Sequence, residues 1–315
     1  MPGPREPGYR EFLRARRAGG GDRRPGTLNG LRAEHAADLA RSPRMPLHRV
    51  RDLTVDGAAG PLPARLYVPV PGEVPGLLVY FHGGGWVLGD VDAYDPVVRA
   101  LAAASGVAVV SVGYRRPPRF PFPAATDDAV AALASVRALA ADGGLPVRES
   151  ARIGVAGDSA GGQIAAVAAW RHARAGTPPA VQVLVYPAVD LREVPPSPPD
   201  PDGLPSSGGD IGRALAVYLG DADARRPEVS PLLVPDPETL PPTIMAVAEH
   251  DRLAAQGAAY AARLRAAGVP VRFLPGDGLD HGYLGWSAFA APPAAELASL
   301  GAEIRAAFTD PTPHP

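Results

Sequence analysis

The 315-residue sequence contains no cysteine, which excludes a disulfide framework, a thiolate-bound metal and a cysteine nucleophile. It also contains no lysine, so all 31 basic residues are arginine, and these are spread along the chain. The formal net charge is only −2, and the sequence therefore lacks the positive field that gathers nucleic acid. We expect no nucleic-acid partner.

Long hydrophobic runs are also missing. No segment reaches the roughly 18 uninterrupted apolar residues that span a bilayer, and the first ten residues lack the apolar core of a secretory signal. We therefore expect no membrane span and a cytoplasmic protein. Hydrophobic residues still make up 46% of the chain, enough for a large core, and we expect one α/β domain over residues 1–315.

Short apolar, β-branched runs alternate with alanine-rich stretches along most of the chain. This alternation predicts a mostly parallel sheet with helices on both faces, and the first two runs predict an antiparallel pair leading into it. The predicted strands are 49–55, 64–68, 77–81, 107–112, 152–156, 181–186, 243–248 and 271–274. The predicted helices are 9–18, 28–41, 93–104, 126–141, 160–174, 211–219, 254–267 and 292–308.

Two stretches interrupt or precede this pattern. Residues 1–45 contain two short amphipathic segments separated by a glycine-rich linker at 19–26, and residues 190–220 contain a proline-rich loop followed by a short helix. Loops this long in a compact domain are commonly lids or disordered spans. We expect both stretches to be cap elements that choose the substrate.

The sequence Gly-Asp-Ser-Ala-Gly at 157–161 follows a predicted strand and precedes a predicted helix. A sharp strand-to-helix turn strains its central residue, and small neighbours such as Gly157 and Gly161 tolerate the crowding. The context therefore predicts a nucleophile elbow with Ser159 exposed at the sheet edge. The alternative is a glycine-rich turn in which the serine only caps the helix.

A second motif, His-Gly-Gly-Gly-Trp at 82–86, follows the apolar run 76–81. Hydrolysis of an ester builds negative charge on the former carbonyl oxygen, and the site needs N–H donors at that point. Loops of this composition supply such donors together with the residue after the nucleophile. We expect the N–H groups of Gly84, Gly85 and Ala160 to form the oxyanion hole, whereas a flexible glycine turn is the alternative.

Several blocks, in this order, resemble those of the hormone-sensitive-lipase-like branch of the α/β-hydrolase superfamily, the bacterial carboxylesterases with an HGGG motif. They lie at 80–86, 114–125, 157–162, 230–233 and 281–283. The resemblance implies an α/β-hydrolase fold with an eight-stranded, mostly parallel sheet and a helical cap. It also implies hydrolysis of small or medium acyl esters without a metal or organic cofactor.

A serine nucleophile needs a base and an acid that orients the base. His281 lies in a glycine-rich loop after the last predicted strand, and it completes the order serine, acid, histidine expected of this fold. Asp251 follows the strand 243–248 and is the predicted acid, a choice that the resemblance supports. Its rivals are the carboxylates Glu249, Asp277 and Asp280.

Other residues are expected to have supporting or binding roles. His82, Gly83 and Asp158 belong to the two glycine-rich motifs and support them. We expect some of the bulky residues near the site loops to line the substrate pocket, with core packing as the alternative for each: Trp86, Tyr186, Leu215, Tyr218 and Tyr283.

Two positions depart from the family pattern. Arg252 follows the predicted acid where proline is usual, and Arg119 stands where glutamate is usual.

The same site could instead catalyse elimination, cyclisation or acyl transfer, and the fold could also serve a ligand-binding protein without catalysis. Association into a homodimer through an apolar edge near the carboxyl terminus is also open.

Overall fold

The computed structural model describes residues 2–19, 27–204 and 211–309. Its eight strands form one sheet in the order β1-β2-β4-β3-β5-β6-β7-β8. The strands are β1 Arg49–Gly57, β2 Gly60–Val68, β3 Val74–Phe81, β4 Ala108–Val112, β5 Val147–Asp158, β6 Gln182–Val185, β7 Thr243–Ala246 and β8 Val271–Leu274. The helices are α1 Pro7–Gly19, α2 Leu28–Leu39, α3 Asp95–Ser105, α4 Ala124–Ala141, α5 Ala160–Arg174, α6 Ile211–Leu219, α7 Ala254–Ala266 and α8 Ala291–Thr309.

Pairing within the sheet follows the predicted plan. β1 and β2 form an antiparallel hairpin, β2 pairs antiparallel with β4, and the other neighbouring strands pair in parallel. β4, β6 and β7 are buried along their whole length, because helices cover both faces of the sheet. Continuous apolar runs are typical of such doubly covered parallel strands.

Helices pack on both faces and divide the core into two clusters. One cluster contains buried side chains of α4, α5 and α7, and the other contains those of α1, α3 and α8. Helix α5 is buried along almost all of its length, which explains its run of small apolar residues. Among the helices of the described ranges, none combines the length and hydropathy needed to cross a membrane.

Each predicted strand and helix is present, which confirms the α/β architecture. The largest difference is at β5, which begins at Val147 instead of 152 because its first residue pairs with Val74 of β3. Gly19, the first residue of the linker predicted at 19–26, is the last residue of α1. Residues 20–26 of that linker and residues 205–210 of the predicted cap loop lie outside the described residues.

This topology gathers the candidate functional residues at one edge. β3, β5, β6 and β7 are parallel neighbours, so their carboxyl ends lie side by side. In open α/β sheets this edge is where ligands bind. His82, Ser159 and Tyr186 each follow directly on the end of one of these strands.

Candidate active site

Ser159 lies at the turn between β5 and α5. Its backbone has φ 54° and ψ −117°, a conformation that non-glycine residues rarely adopt. Among the described residues, the other non-glycine positions with positive φ are Trp86 and Tyr186, and both also follow strand ends at this edge. Such strain is concentrated at functional sites, where the surrounding structure must enforce it.

The glycines around Ser159 are required by close backbone approach. A Cβ atom on Gly161 would collide with the carbonyl oxygen of Phe81, and one on Gly157 would collide with the carbonyl oxygen of Gly161. The turn therefore brings the end of β3 and the start of α5 together. This contact places the His-Gly-Gly-Gly loop beside the serine.

The structure brings Ser159, His281 and Asp251 together. His281 Nε2 is 2.8 Å from Ser159 Oγ, and His281 Nδ1 is 2.6 Å from Asp251 Oδ2. A carboxylate can only accept, so Nδ1 donates its proton and Nε2 is left to accept from the serine hydroxyl. Asp251 Oδ1 also accepts the N–H of Leu253 at 2.9 Å, which fixes the orientation of the carboxylate.

Electrostatics favour a basic imidazole. Burial acts to lower the pKa of His281, but the charge and hydrogen bond of Asp251 outweigh it and raise that pKa above its ordinary value. Asp251 is only 5% exposed, so solvent screens this interaction little.

The rival carboxylates lie elsewhere. Glu249 accepts the N–H groups of Gly3 and Gly278, so it ties the amino terminus to the histidine loop. Asp280 pairs with Arg5, and Asp277 is exposed. Of the four candidates, Asp251 is the one whose carboxylate reaches the imidazole.

The His-Gly-Gly-Gly loop turns sharply after β3. Gly84 and Gly85 have φ of 103° and 57°, values that favour glycine, and a Cβ on Gly84 would lie 2.7 Å from the carbonyl oxygen of Leu88. Within the part of the chain that the structure describes, the N–H groups of Gly84, Gly85 and Ala160 have no protein acceptor. They are therefore available to a ligand.

Asp158, which directly precedes Ser159, anchors this loop. Its Oδ1 accepts the hydroxyl of Tyr80 at 2.6 Å and the N–H of Gly83 at 2.7 Å. Burial raises the pKa of Asp158 above its ordinary value, although both hydrogen bonds oppose that shift. The two glycine-rich motifs are thus connected through one buried carboxylate.

His82 has a packing role. Its ring stacks on Tyr114 with centroids 4.4 Å apart, and its Nδ1 lies 2.8 Å from the carbonyl oxygen of Gly83. Burial lowers the pKa of His82 to about 3, so the ring is neutral at physiological pH. The His82 ring lies inside the loop, and the imidazole hydrogen-bonded to Ser159 Oγ is that of His281.

The bulky residues predicted for the pocket fall into two groups. Trp86 stacks face to face on Tyr218 of α6, with ring centroids 4.6 Å apart and planes 6° apart, and Leu215 of α6 belongs to the same core cluster. Tyr186 contacts the His281 ring at 4.8 Å and packs edge-on against Tyr283 at 5.1 Å.

These contacts give the five side chains definite positions. The first group joins α6 to the His-Gly-Gly-Gly loop, and in the second group Tyr186 packs between the His281 imidazole and Tyr283. All five side chains are buried. Their packing is settled by these contacts, and their part in the pocket stays a prediction.

Both departures from the family pattern make local contacts. Arg119 is exposed and its guanidinium lies 5.1 Å from the Phe120 ring centroid. Arg252 donates to Ser197 Oγ at 2.7 Å, and it therefore links the loop of the acid to the proline-rich stretch.

Sequence reasoning missed two buried polar residues. Gln163 accepts from Trp86 Nε1 and the Tyr218 hydroxyl, and donates to the carbonyl oxygens of Glu228 and Val229. The one sign of Gln163 in the sequence is that it is a single amide just before the apolar run of α5. Arg5, which contacts the residue before His281, carried no local signal at all.

Comparisons with known proteins agree with this architecture. A family model described as alpha/beta hydrolase fold matches residues 78–285. Esterase LipI of Mycobacterium tuberculosis is 40% identical to this chain over 84% of it and 83% of the relative. Carboxylesterase NlhH of the same species is 41% identical over 82% of each chain.

A solved structure gives the same result. A hyperthermophilic esterase from the archaeon Pyrobaculum calidifontis matches with a TM-score of 0.85 and 33% identity, covering 96% of this chain and 99% of the other. The matches confirm the predicted α/β-hydrolase fold. The chain belongs to the hormone-sensitive-lipase-like carboxylesterase family of the α/β-hydrolase superfamily.

Proposed function

We propose that this protein is a serine carboxylesterase acting on small or medium acyl esters, with Ser159 as nucleophile, His281 as base and Asp251 as orienting acid. The observation that carries the proposal is the continuous hydrogen-bonded series from Asp251 through His281 to Ser159. Its geometry satisfies the requirement of an activated serine, since the base lies within hydrogen-bond reach and is itself held by a third group.

In the acylation step, His281 Nε2 takes the hydroxyl proton while Ser159 Oγ attacks the ester carbonyl carbon. The carbonyl π electrons move to oxygen, and the N–H groups of Gly84, Gly85 and Ala160 hold the resulting oxyanion. Collapse of the tetrahedral intermediate breaks the bond to the alcohol oxygen, which receives the proton from His281. Asp251 stabilises the imidazolium present between these transfers.

Deacylation repeats the sequence with water. His281 removes a proton from water as its oxygen attacks the acyl carbon on Ser159, and the same N–H groups hold the second oxyanion. Collapse releases the carboxylic acid and returns the proton to Ser159. No group outside these residues is needed to balance either step.

We further propose that residues 1–45 and 190–220 form a cap on a single α/β-hydrolase domain. Three contacts support this arrangement. Tyr218 of α6 stacks on Trp86, Arg32 of α2 donates to the carbonyl oxygen of Val87, and Arg252 reaches Ser197. Because these elements bear on both the oxyanion loop and the acid loop, the cap bounds the pocket and selects the acyl group.

The test is hydrolysis of p-nitrophenyl esters graded by acyl length. Ser159→Ala removes the nucleophile, and we expect kcat to fall by a factor of about 10⁴ to 10⁶ with no loss of folded structure by circular dichroism. Ser299→Ala, on the exposed side of α8, is the matched control and keeps wild-type turnover.

Product analysis completes this test. The proposal predicts equal amounts of free acid and free alcohol from each ester. Unaltered hydrolysis by Ser159→Ala would contradict the assignment of the nucleophile. A product formed by elimination, cyclisation or transfer to another acceptor would contradict the assignment as a hydrolase.

A further inference from the structure

Arg5 precedes α1 and is buried. Its side chain is 0% exposed, and it binds Asp280 in a bidentate manner, with Nε 2.7 Å from Oδ2 and Nη2 2.8 Å from Oδ1. The same guanidinium contacts Asp200 through Nη2 at 2.7 Å and Asp202 through Nη1 at 3.1 Å. One side chain thus joins three carboxylates from two separate loops.

The charges in this cluster are balanced. Burial acts to lower the pKa of Arg5, but the hydrogen bonds that it donates to the three carboxylates outweigh burial and raise that pKa, so the guanidinium stays charged. Arg10 also contacts Asp202, and Arg17 also contacts Asp280. An arginine is suited to this position because its planar fork presents several fixed donors at once.

One arm of the cluster holds the histidine loop. Asp280 is the residue before His281, and consecutive Cα atoms lie about 3.8 Å apart. Fixing Asp280 therefore restricts where His281 can lie. On the other side of the same loop, Glu249 accepts the N–H of Gly278, and the N–H of His250 donates to Leu279. The loop carrying His281 is therefore fixed from the acid loop on one side and from Arg5 on the other.

The second arm holds the proline-rich loop. Asp202 also accepts the backbone N–H of Arg5 at 3.2 Å, and Asp200 accepts the N–H groups of Asp202 and Leu204. The guanidinium thereby closes a compact turn of the cap region against the amino terminus. Cap and histidine loop share this one anchor.

We propose that Arg5 is a positioning residue with two separable effects. Through Asp280 it holds His281 in reach of Ser159, which acts on turnover, and through Asp200 and Asp202 it holds the cap loop, which acts on substrate binding. The proposal rests on the function proposed above, because it assigns the two effects to the base and to the cap of that esterase.

The test measures kcat and KM of the full-length chain with a p-nitrophenyl ester. Arg5→Met lowers kcat about 10- to 100-fold, because a displacement of about 1 Å at a reacting group has effects of this size, and it also raises KM. Asp280→Asn lowers kcat with KM unchanged. Asp202→Asn raises KM with kcat unchanged.

Coupling between the sites distinguishes positioning from general damage. In Arg5→Met/Asp280→Asn, kcat is no lower than in Arg5→Met alone, because both changes remove the same support. Arg5→Lys keeps the charge without the bidentate fork, and its kcat lies between those of the wild type and Arg5→Met. The matched control Arg171→Met breaks a partly exposed ion pair with Asp127 and keeps wild-type kcat and KM.

A second readout is independent of ester turnover. At a saturating concentration of a fluorophosphonate, the rate at which Ser159 is labelled falls in Arg5→Met and in Asp280→Asn, and it is unchanged in Asp202→Asn. This rate tests Arg5 even if the wild type hydrolyses no ester, an outcome that would contradict only the proposed function. Should Arg5→Met fail to fold, Arg5→Lys and Asp280→Asn carry the test.

The proposal is overturned if folded Arg5→Met labels and turns over at wild-type rates. It is also overturned if the kcat losses of Arg5→Met and Asp280→Asn multiply in the double variant. A loss confined to the urea midpoint, with kcat and KM intact, would assign Arg5 to stability alone.

Discussion

Replacement of Asp158 by alanine tests how the oxyanion loop is held in place. Asp158 is 4% exposed, and its carboxylate accepts from both the Tyr80 hydroxyl and the Gly83 N–H. Asp158→Ala leaves both donors buried without an acceptor, at about 1–3 kcal/mol each, so we expect the free energy of unfolding to fall by about 2–6 kcal/mol. Urea denaturation followed by circular dichroism measures this loss.

Catalysis should suffer in parallel. Gly83 directly precedes Gly84, so a released Gly83 allows the neighbouring N–H donors to move away from the developing oxyanion. We expect kcat of Asp158→Ala to fall about 10²- to 10³-fold, as for loss of one oxyanion donor. KM should change less, because those donors contribute mainly in the transition state.

Asp158→Asn is the matched control, because its amide oxygen can still accept both hydrogen bonds while the buried charge is removed. We expect this variant to be more stable than Asp158→Ala and to retain most of the wild-type kcat. The reasoning would be refuted if Asp158→Ala kept wild-type kcat, or if alanine and asparagine were equally destabilising.

Two further outcomes follow from the site. Burial acts to lower the pKa of His281, but the interaction with Asp251 outweighs burial and raises that pKa. Because the imidazole must be neutral to accept the serine proton, kcat/KM should decline toward acid pH with a midpoint above about 6.5. A midpoint below that value in a pH–rate profile would contradict the conclusion that Asp251 outweighs burial at His281. Gly84→Ala places a Cβ 2.7 Å from the carbonyl oxygen of Leu88 at φ 103°, and we expect kcat to fall about 10²- to 10³-fold. Wild-type turnover of p-nitrophenyl acetate by this variant would contradict the role of the loop.

The strands and helices could be predicted because each carries its own pattern. β4, β6 and β7 are buried on both faces and read as unbroken apolar runs, and α5 follows the glycine-rich turn without interruption. The start of β5 was harder to place, since the pairing of Val147 with Val74 depends on a neighbouring strand and not on local composition.

The candidate site likewise contains residues that local motifs predict and residues that only the folded structure brings together. Ser159 and the glycines of the His-Gly-Gly-Gly loop lie in short motifs whose spacing reflects backbone geometry. Arg5 and Asp280 are 275 positions apart, and an arginine near the amino terminus gives no sign of the carboxylate that it meets. The alternative acids could be separated only by distance, because all four lie in loops of similar composition.

The most direct test of the account is the site of covalent attachment. The protein is treated with a fluorophosphonate, digested and mapped by mass spectrometry, beside the His281→Ala variant. We predict one adduct, on Ser159, formed much more slowly when His281 is absent. Labelling at another residue, or labelling of Ser159 at an equal rate without His281, would contradict the proposed nucleophile and base.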